Sequence, residues 1–174
     1  HLGGVVAHEF THGFDNEGKD FDKYGNHKDW WSAASKREFE KNADCFVRDS
    51  STLVEPTSGV TLNGTQTLTE VIADSGGMAI SYDAFKKRQQ SEGVEVVLGA
   101  PLGNYSAEQL FFISWAQQFC ESGNSEQFKI SMRFNYHAPG RWRVIGTLHN
   151  NRDWYRAFGC KEKKDNGIEI CQLW

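Results

Sequence analysis

Hydrophobic residues recur at intervals of three and four along most of this chain, and polar stretches that contain glycine separate the runs. Such spacing places apolar side chains on one face of a helix. Six helices are predicted in this way: over 2–14, from 29 to about 49, from 67 to about 90, from 106 through the apolar run that ends at 119, a short one after 140, and one over about 150–158. The segments 15–27, 50–64 and 99–103 are predicted loops.

The start of the fourth predicted helix carries a capping signal, because Gln109 follows Ser106 by three residues, as in a capping box. No run of alternating apolar and polar residues predicts a strand, and neither an internal repeat nor a linker divides the chain. We therefore expect residues 1–174 to form a single, mainly α-helical unit.

The composition is that of an ordinary globular protein, with 39% hydrophobic and 24% charged residues. The net charge of −4 argues against nucleic acid as the main partner, because such binding needs Lys and Arg to neutralise phosphates. The sequence holds no apolar run long enough to cross a membrane. It opens directly on an apolar helical segment, where a helix end should fray, so we expect the C-terminal portion of a longer protein.

The first chemical signal is an H-E-x-x-H motif, His8-Glu9-Phe10-Thr11-His12, inside the first predicted helix. Residues four apart share a helix face, so the imidazoles of His8 and His12 can reach one metal ion. Glu9 lies beside them, where it can act as general base on a zinc-bound water whose pKa the metal lowers to about 7. The motif also arises by chance, and a pair of surface histidines is the alternative.

A zinc site of this kind needs a third protein ligand, which peptidases supply in two ways. In one class a third histidine follows closely, but residues 13–18 contain none. In the other class a glutamate comes from a second helix, as Glu70 does here, and Asp74 lies on the same face, where it can accept a hydrogen bond from a zinc-binding histidine. Gly76 and Gly77 follow within the helix, and such a pair, at about 1 kcal/mol each relative to Ala, indicates that another backbone comes close.

Matching motifs continue to the end of the chain. The full set is His8-Glu9-x-x-His12 with Gly13-Phe14-Asp15, Asn63-Gly64, Thr67-Leu68-x-Glu70-x-Ile72-Ala73-Asp74-x-Gly76-Gly77, Gln109-Leu110-Phe111-Phe112, Ala116-Gln117 with Cys120, His137-x-Pro139-Gly140-x-x-Arg143, and Cys171-x-x-Trp174. This set resembles the neprilysin and endothelin-converting-enzyme family of gluzincin zinc metalloendopeptidases over essentially the whole chain. The implied fold is the C-terminal helical part of a thermolysin-like catalytic domain, without its upstream edge strand.

The resemblance implies a zinc-binding role for three residues and supporting roles for two others. His8, His12 and Glu70 would bind one Zn²⁺ ion per chain. Glu9 would be the general base and proton shuttle, and Asp74 would orient a ligand histidine, His8 in the first instance.

The resemblance also implies residues that contact the substrate. His137 would stabilise the oxyanion of the tetrahedral intermediate, a role that needs a donor aimed at developing charge. Arg143 would bind a backbone carbonyl of the substrate, and Val5, Val6 and Phe119 would line the pocket for the residue after the scissile bond. From the residues alone, His137 also fits an ordinary turn histidine and Arg143 an exposed helix charge.

The chain departs from the family pattern in two respects. Thr69 stands where the family usually has Gly before the ligand glutamate, a position that should tolerate a small polar residue. The family's upstream Asn-Ala-aromatic segment, which pairs with the substrate backbone, and the large N-terminal helical part that closes over the site are absent from this sequence.

The four cysteines are widely spaced, and spacing alone leaves open both disulfides in an oxidising compartment and free thiols in a cytosolic protein. The resemblance implies a bond between Cys45 and Cys171. It also implies that Cys120 and Cys160 pair with cysteines upstream of this sequence.

An extracellular location follows from the same resemblance, as a secreted protein or as the ectodomain of a single-pass membrane protein. Asn63 and Asn104 each begin a glycosylation sequon, which fits a glycoprotein. The second sequon is favoured, because a glycan on the first would crowd the entry of the helix that carries Glu70.

The sequence thus predicts a zinc-dependent metalloendopeptidase that hydrolyses small peptides on the amino side of hydrophobic residues, without a covalent acyl-enzyme. The alternative is a non-catalytic or truncated homologue that serves as a zinc-containing binding module. A purely structural zinc site is disfavoured, because three protein ligands leave one coordination position open. The expected partners are small peptides and the missing N-terminal part of the same protein; no signal indicates an oligomeric state.

Overall fold

The computed structural model describes residues 2–93, 105–162 and 170–173. Within these ranges the chain is mainly helical, as predicted, and its extended segments pair only at two isolated bridges, Phe21 with His27 and Val54 with Thr61. The helices are α1 (Leu2–Thr11), α2 (Ala33–Ser50), α3 (Leu68–Glu92), α4 (Ala107–Gln117), α5 (Ser125–Phe134), α6 (Gly140–His149) and α7 (Arg152–Phe158), with short 3-10 turns at His12–Phe14 and Gly18–Asp20. The predicted loop at 99–103 and the sequon at Asn104 lie outside the described residues.

Capping side chains explain where two of the helices begin. The capping box of α4 is confirmed, because Ser106 Oγ accepts from the Gln109 backbone N–H and the Gln109 side chain accepts from the Ser106 N–H. α5 has no counterpart among the predicted helices, yet Asn124 and Gln127 form the same reciprocal pair at its start. Asn124 at the capping position, with Gln127 three residues on, is therefore the signal in the sequence that predicts α5.

The start of α2 differs from the prediction by four residues. Ser32 is its N-cap and accepts a hydrogen bond from the Ser35 backbone N–H, so the helix begins at Ala33 rather than at Asp29. The two tryptophans that precede it lie outside the helix, and Trp31 packs its ring edge-on against Phe39. Trp30 donates its indole N–H to the Phe21 carbonyl at 2.9 Å, so side-chain contacts of both tryptophans hold this entry segment.

α3 is the central element of the fold and packs against α1, α2 and α6. Two buried apolar clusters lie along it, one shared with α2 and one shared with α4. Their members are Ile72 with Phe39 and Ala43, and Met78 and Tyr82 with Phe112 and Trp115. Since each fully buried large apolar side chain contributes about 1.5–3 kcal/mol, these clusters fix α3 relative to its neighbours.

The glycine pair of α3 brings two helix backbones into contact. A Cβ at Gly77 would lie 2.8 Å from the backbone N of His8, and a Cβ at Gly76 would lie 2.6 Å from Thr11 Cγ2. Side chains larger than hydrogen would therefore push α1 away from α3. The close backbone approach predicted from the pair is present, and it places His8 directly against α3.

The C-terminal segment is fastened to α2. A disulfide joins Cys45 and Cys171, the pair that the family resemblance implied. Cys120 and Cys160 are exposed free thiols. Among the described helices, none combines the length and apolar character needed to cross a bilayer.

Candidate active site

Three predicted metal ligands from two elements converge on one point. His8 lies on α1, His12 directly follows it, and Glu70 lies in the first turn of α3. The Nε2 atoms of the two histidines are 3.1 Å apart, and Glu70 carboxylate oxygens lie 3.4 Å from His8 Nε2 and 3.7 Å from His12 Nε2. All three donor atoms lie within 4.8 Å of one another.

This spacing fits a zinc ion. Nitrogen and oxygen ligands bind zinc tetrahedrally at about 2.0–2.2 Å, which places neighbouring ligand atoms roughly 3.3–3.5 Å apart. The His8–His12 separation of 3.1 Å, and the 3.4 and 3.7 Å from the two histidines to one or the other Glu70 oxygen, bracket that value. Two imidazoles and one carboxylate are also a donor set that zinc prefers and that leaves a fourth position open.

Asp74 connects the first histidine to an arginine. Its carboxylate, almost fully buried, accepts two hydrogen bonds from Arg143, at 2.8 Å from Nε and 2.7 Å from Nη2. His8 Nδ1 lies 3.0 Å from Asp74 Oδ1, although the ring N–H is not aligned with that oxygen as in a straight hydrogen bond. The contact is close enough to favour the tautomer that leaves Nε2 of His8 free for a metal.

Asp15 plays the corresponding part for the second histidine, and no role was predicted for it. Its buried carboxylate lies 2.7 Å from His12 Nδ1 and also accepts the backbone N–H groups of Glu17 at 2.8 Å and Gly18 at 2.7 Å. The signal in the sequence is an aspartate three residues after the second histidine of H-E-x-x-H, where a turn returns the carboxylate to the imidazole. Both predicted ligand histidines therefore have a carboxylate next to the ring nitrogen Nδ1.

The charges of the cluster shift its pKa values. Burial disfavours the protonated imidazole of His8, but the contacts with Asp74 and Glu70 outweigh it and raise the pKa of His8 to about 9. Burial likewise acts to raise the pKa of Glu70, yet the neighbouring His8, His137 and Arg143 bring it below the usual range. Without metal, both ring nitrogens of His8 thus carry a proton at neutral pH, and metal binding must displace one of these protons.

Glu9, His137 and Arg143 line one cavity of about 350 Å³ beside the ligand cluster. Glu9 is exposed on α1 and is not one of the three ligands. His137, about half exposed, directs Nε2 to within 3.1 Å of a Glu70 oxygen. Arg143 is largely buried and held by Asp74, so the interpretation of Arg143 as an exposed helix charge is wrong.

The apolar wall of the cavity agrees in part with the residues predicted to line it. Val5 and Phe119 line the cavity, and so do Trp115 and Gln118, for which no role was predicted. Val6 is not among the lining residues and is half exposed. Because each helical residue turns about 100° from the last, Val6 cannot share the face on which Val5 and His8 lie.

Thr69, the departure from the family pattern, has a structural partner. Its hydroxyl donates to Asn16 Oδ1 at 3.0 Å and so ties the start of α3 to the loop that follows the second histidine. A small polar side chain is therefore accommodated at this position without disturbing the neighbouring Glu70.

Comparison with known sequences agrees with this geometry. The profile of Peptidase family M13 matches residues 1–168. The chain is 39% identical to Neprilysin-3 of Drosophila melanogaster and 37% identical to an endothelin-converting enzyme homolog of Locusta migratoria, each over 174 residues. The alignments cover 99% of this chain but 22% and 23% of the relatives, so the chain spans less than a quarter of their length.

Solved structures share the fold. The Haemonchus galactose containing glycoprotein complex matches with a TM-score of 0.89 at 29% identity, over 99% of this chain and 29% of that one. The zinc metalloprotease ZMP1 of Mycobacterium tuberculosis, in complex with an inhibitor, matches with a TM-score of 0.86 at 22% identity, over 99% and 27%. The second likeness concerns the fold alone. With the family profile matching nearly the whole sequence and two close relatives above 35% identity, the chain belongs to peptidase family M13.

Proposed function

We propose that this chain carries the catalytic centre of a zinc-dependent metalloendopeptidase that hydrolyses small peptides on the amino side of hydrophobic residues. The observation that supports it most is the convergence of His8, His12 and Glu70, with Glu9 lining the adjoining cavity.

The ligand set would hold one Zn²⁺ ion through His8 Nε2, His12 Nε2 and a Glu70 carboxylate oxygen. When bound there, zinc supplies a Lewis acid that polarises a carbonyl and brings the pKa of water down to about 7. Glu9 takes the proton of the attacking water and passes it to the leaving amine, because it lines the cavity and is not one of the three proposed ligands.

Arg143 can hold Asp74 and contact a substrate at the same time. Its Nε and Nη2 groups bind Asp74, while Nη1 has no hydrogen-bond partner among the described residues. A guanidinium offers five N–H donors in a rigid plane, so the donors of Nη1 are left for a peptide carbonyl. His137, across the cavity, offers Nε2 as a donor toward the carbonyl oxygen that becomes negative during attack.

The experiment that tests this proposal uses the full-length protein beside this chain alone. Zinc content is measured by mass spectrometry, and hydrolysis is followed with a short quenched peptide carrying one internal hydrophobic residue. We expect one zinc per chain, loss of hydrolysis in a chelator such as 1,10-phenanthroline, and recovery when one equivalent of zinc is restored. Full-length protein that binds zinc but cleaves no peptide would instead identify a binding module.

We further propose an extracellular location. The disulfide between Cys45 and Cys171 supports it, since such bonds persist in oxidising compartments. Mass spectrometry of non-reduced peptides from the native protein tests this, because the same bond must be found, with Cys120 and Cys160 bonded to upstream cysteines.

Asp15→Asn should lower the zinc affinity by about 10–100-fold, the usual effect of losing the carboxylate behind a ligand histidine. Asparagine keeps an oxygen for the N–H groups of Glu17 and Gly18 but turns an NH₂ donor toward His12 Nδ1. The imidazole then loses the acceptor that fixes its tautomer. Competition with a chelating dye measures the change in affinity.

Asp22→Asn is the matched control. Asp22 lies in the same loop and accepts the backbone N–H groups of Tyr24 and Asn26, at 2.9 and 3.1 Å, but contacts no ligand histidine. Its substitution should leave the zinc affinity unchanged. Equal losses in the two variants would mean that Asp15 acts only through the loop.

A further inference from the structure

The wall of the active-site cavity contains a side-chain amide with no assigned task. Gln118 directly follows α4, is half-buried and lines the cavity. Its side-chain amide makes no hydrogen bond with any residue in the described part of the chain, and solvent reaches it. An amide in this position can both donate and accept.

The charged groups of this wall already have a partner or a proposed task. Arg143 and Asp74 bind each other, His8 contacts Asp74, and His137 contacts Glu70. Glu9 is the proposed general base. Gln118 therefore offers a side-chain amide in the cavity wall that is available to the side chain of a bound peptide.

Aromatic rings form the surface next to this amide. Trp115 and Phe119 meet edge to face with centroids 4.8 Å apart, and the Arg143 guanidinium lies 4.7 Å from the Phe119 ring centroid. α1 closes against the same wall, since a Cβ at Gly4 would lie 3.1 Å from Trp115 Cδ1. A cavity of about 350 Å³ with two aromatic rings in its wall has room for a ring-bearing side chain.

We propose that Gln118 gives this pocket a preference for tyrosine immediately after the scissile bond, through a hydrogen bond to the phenolic hydroxyl. The inference rests on the proposed peptidase function and names its substrate class more closely. A phenylalanine in the same place would fill the aromatic part but remove water from the Gln118 amide without replacing the lost hydrogen bonds. Sites that bind a substrate hydroxyl discriminate against the analogue that lacks it for this reason.

The test compares two peptides that differ only in tyrosine or phenylalanine after the scissile bond, with the full-length protein. We expect wild-type protein to favour the tyrosine peptide by about tenfold in kcat/KM, the effect of one hydrogen bond worth about 1.4 kcal/mol. Gln118→Met keeps the length of the side chain but removes the amide, and should reduce the ratio to one or below. Gln118→Leu, a shorter apolar replacement, should do the same.

Gln117→Met is the matched control, because Gln117 is the exposed neighbour and does not line the cavity. Its ratio should equal that of the wild type. If wild type and Gln118→Met cleave the two peptides with the same tyrosine-to-phenylalanine ratio, the tyrosine preference is wrong while the peptidase function stands. The same holds if Gln118→Met lowers kcat/KM equally for both peptides, which would indicate a contact with the peptide backbone. Cleavage of neither peptide by zinc-loaded wild type contradicts the peptidase function itself.

Discussion

Glu9→Gln should lower kcat/KM for peptide hydrolysis by about 10²–10⁴-fold while zinc stays bound at one ion per chain. Glutamine has the shape of glutamate but cannot accept the proton of the attacking water. The metal is retained, because Glu9 is not among the three side chains whose donor atoms converge. This variant should therefore lose hydrolysis but keep its zinc, whereas a general loss of structure would remove both.

The measurement combines steady-state kinetics with metal analysis of the full-length protein. Glu40→Gln is the control, since Glu40 is an exposed glutamate on α2 and does not line the cavity. It should behave as wild type in both assays. Retained hydrolysis in Glu9→Gln would remove Glu9 from the mechanism and require another base.

Glu70→Gln should reduce the zinc affinity by more than about 100-fold, beyond the range usual for residues behind the ligands. The Glu70 carboxylate lies within 3.7 Å of nitrogen atoms of His8, His12, His137 and Arg143. Glutamine removes the negative charge that offsets these cationic groups. A divalent cation is then repelled by them and also meets a weaker ligand.

Glu55→Gln is a control matched in burial, because both glutamates have 8% of their surface exposed. Glu55 accepts hydrogen bonds from Thr57 and Ser58 within its own loop and contacts none of the ligands. Its substitution should leave zinc affinity intact, as measured by dye competition. A similar loss of zinc in both variants would mean that stability, rather than ligation, governs metal binding.

Periodicity and caps were enough to predict most helices, since these signals are local. The misplaced start of α2 shows their limit, because Asp29 and Ser32 are both residue types that cap helices, and the structure uses Ser32. α5 has few apolar residues on its buried side, so its capping box is the stronger signal.

Of the candidate site, the sequence indicates His8 and His12 by their spacing, and Glu70 by its apolar surroundings and by Asp74 four residues on. The roles of His137 and Arg143 came from family resemblance, since nothing local connects positions 67 residues or more from the glutamate to it. Gln118 and Trp115 were not predicted, because their place in the cavity depends on how α4 packs against α1.

The contact of α1 with α3 through Gly76 and Gly77 bears on the zinc site proposed for His8, His12 and Glu70. Rotamers of exposed side chains interchange within nanoseconds, whereas two backbones in van der Waals contact, fixed by the surrounding core, keep their separation. His8 lies on α1 and Glu70 on α3, so the fold itself sets the distance between these two proposed ligands. Zinc binding at the proposed site would then cost little conformational entropy, and the affinity for zinc would be higher for that reason.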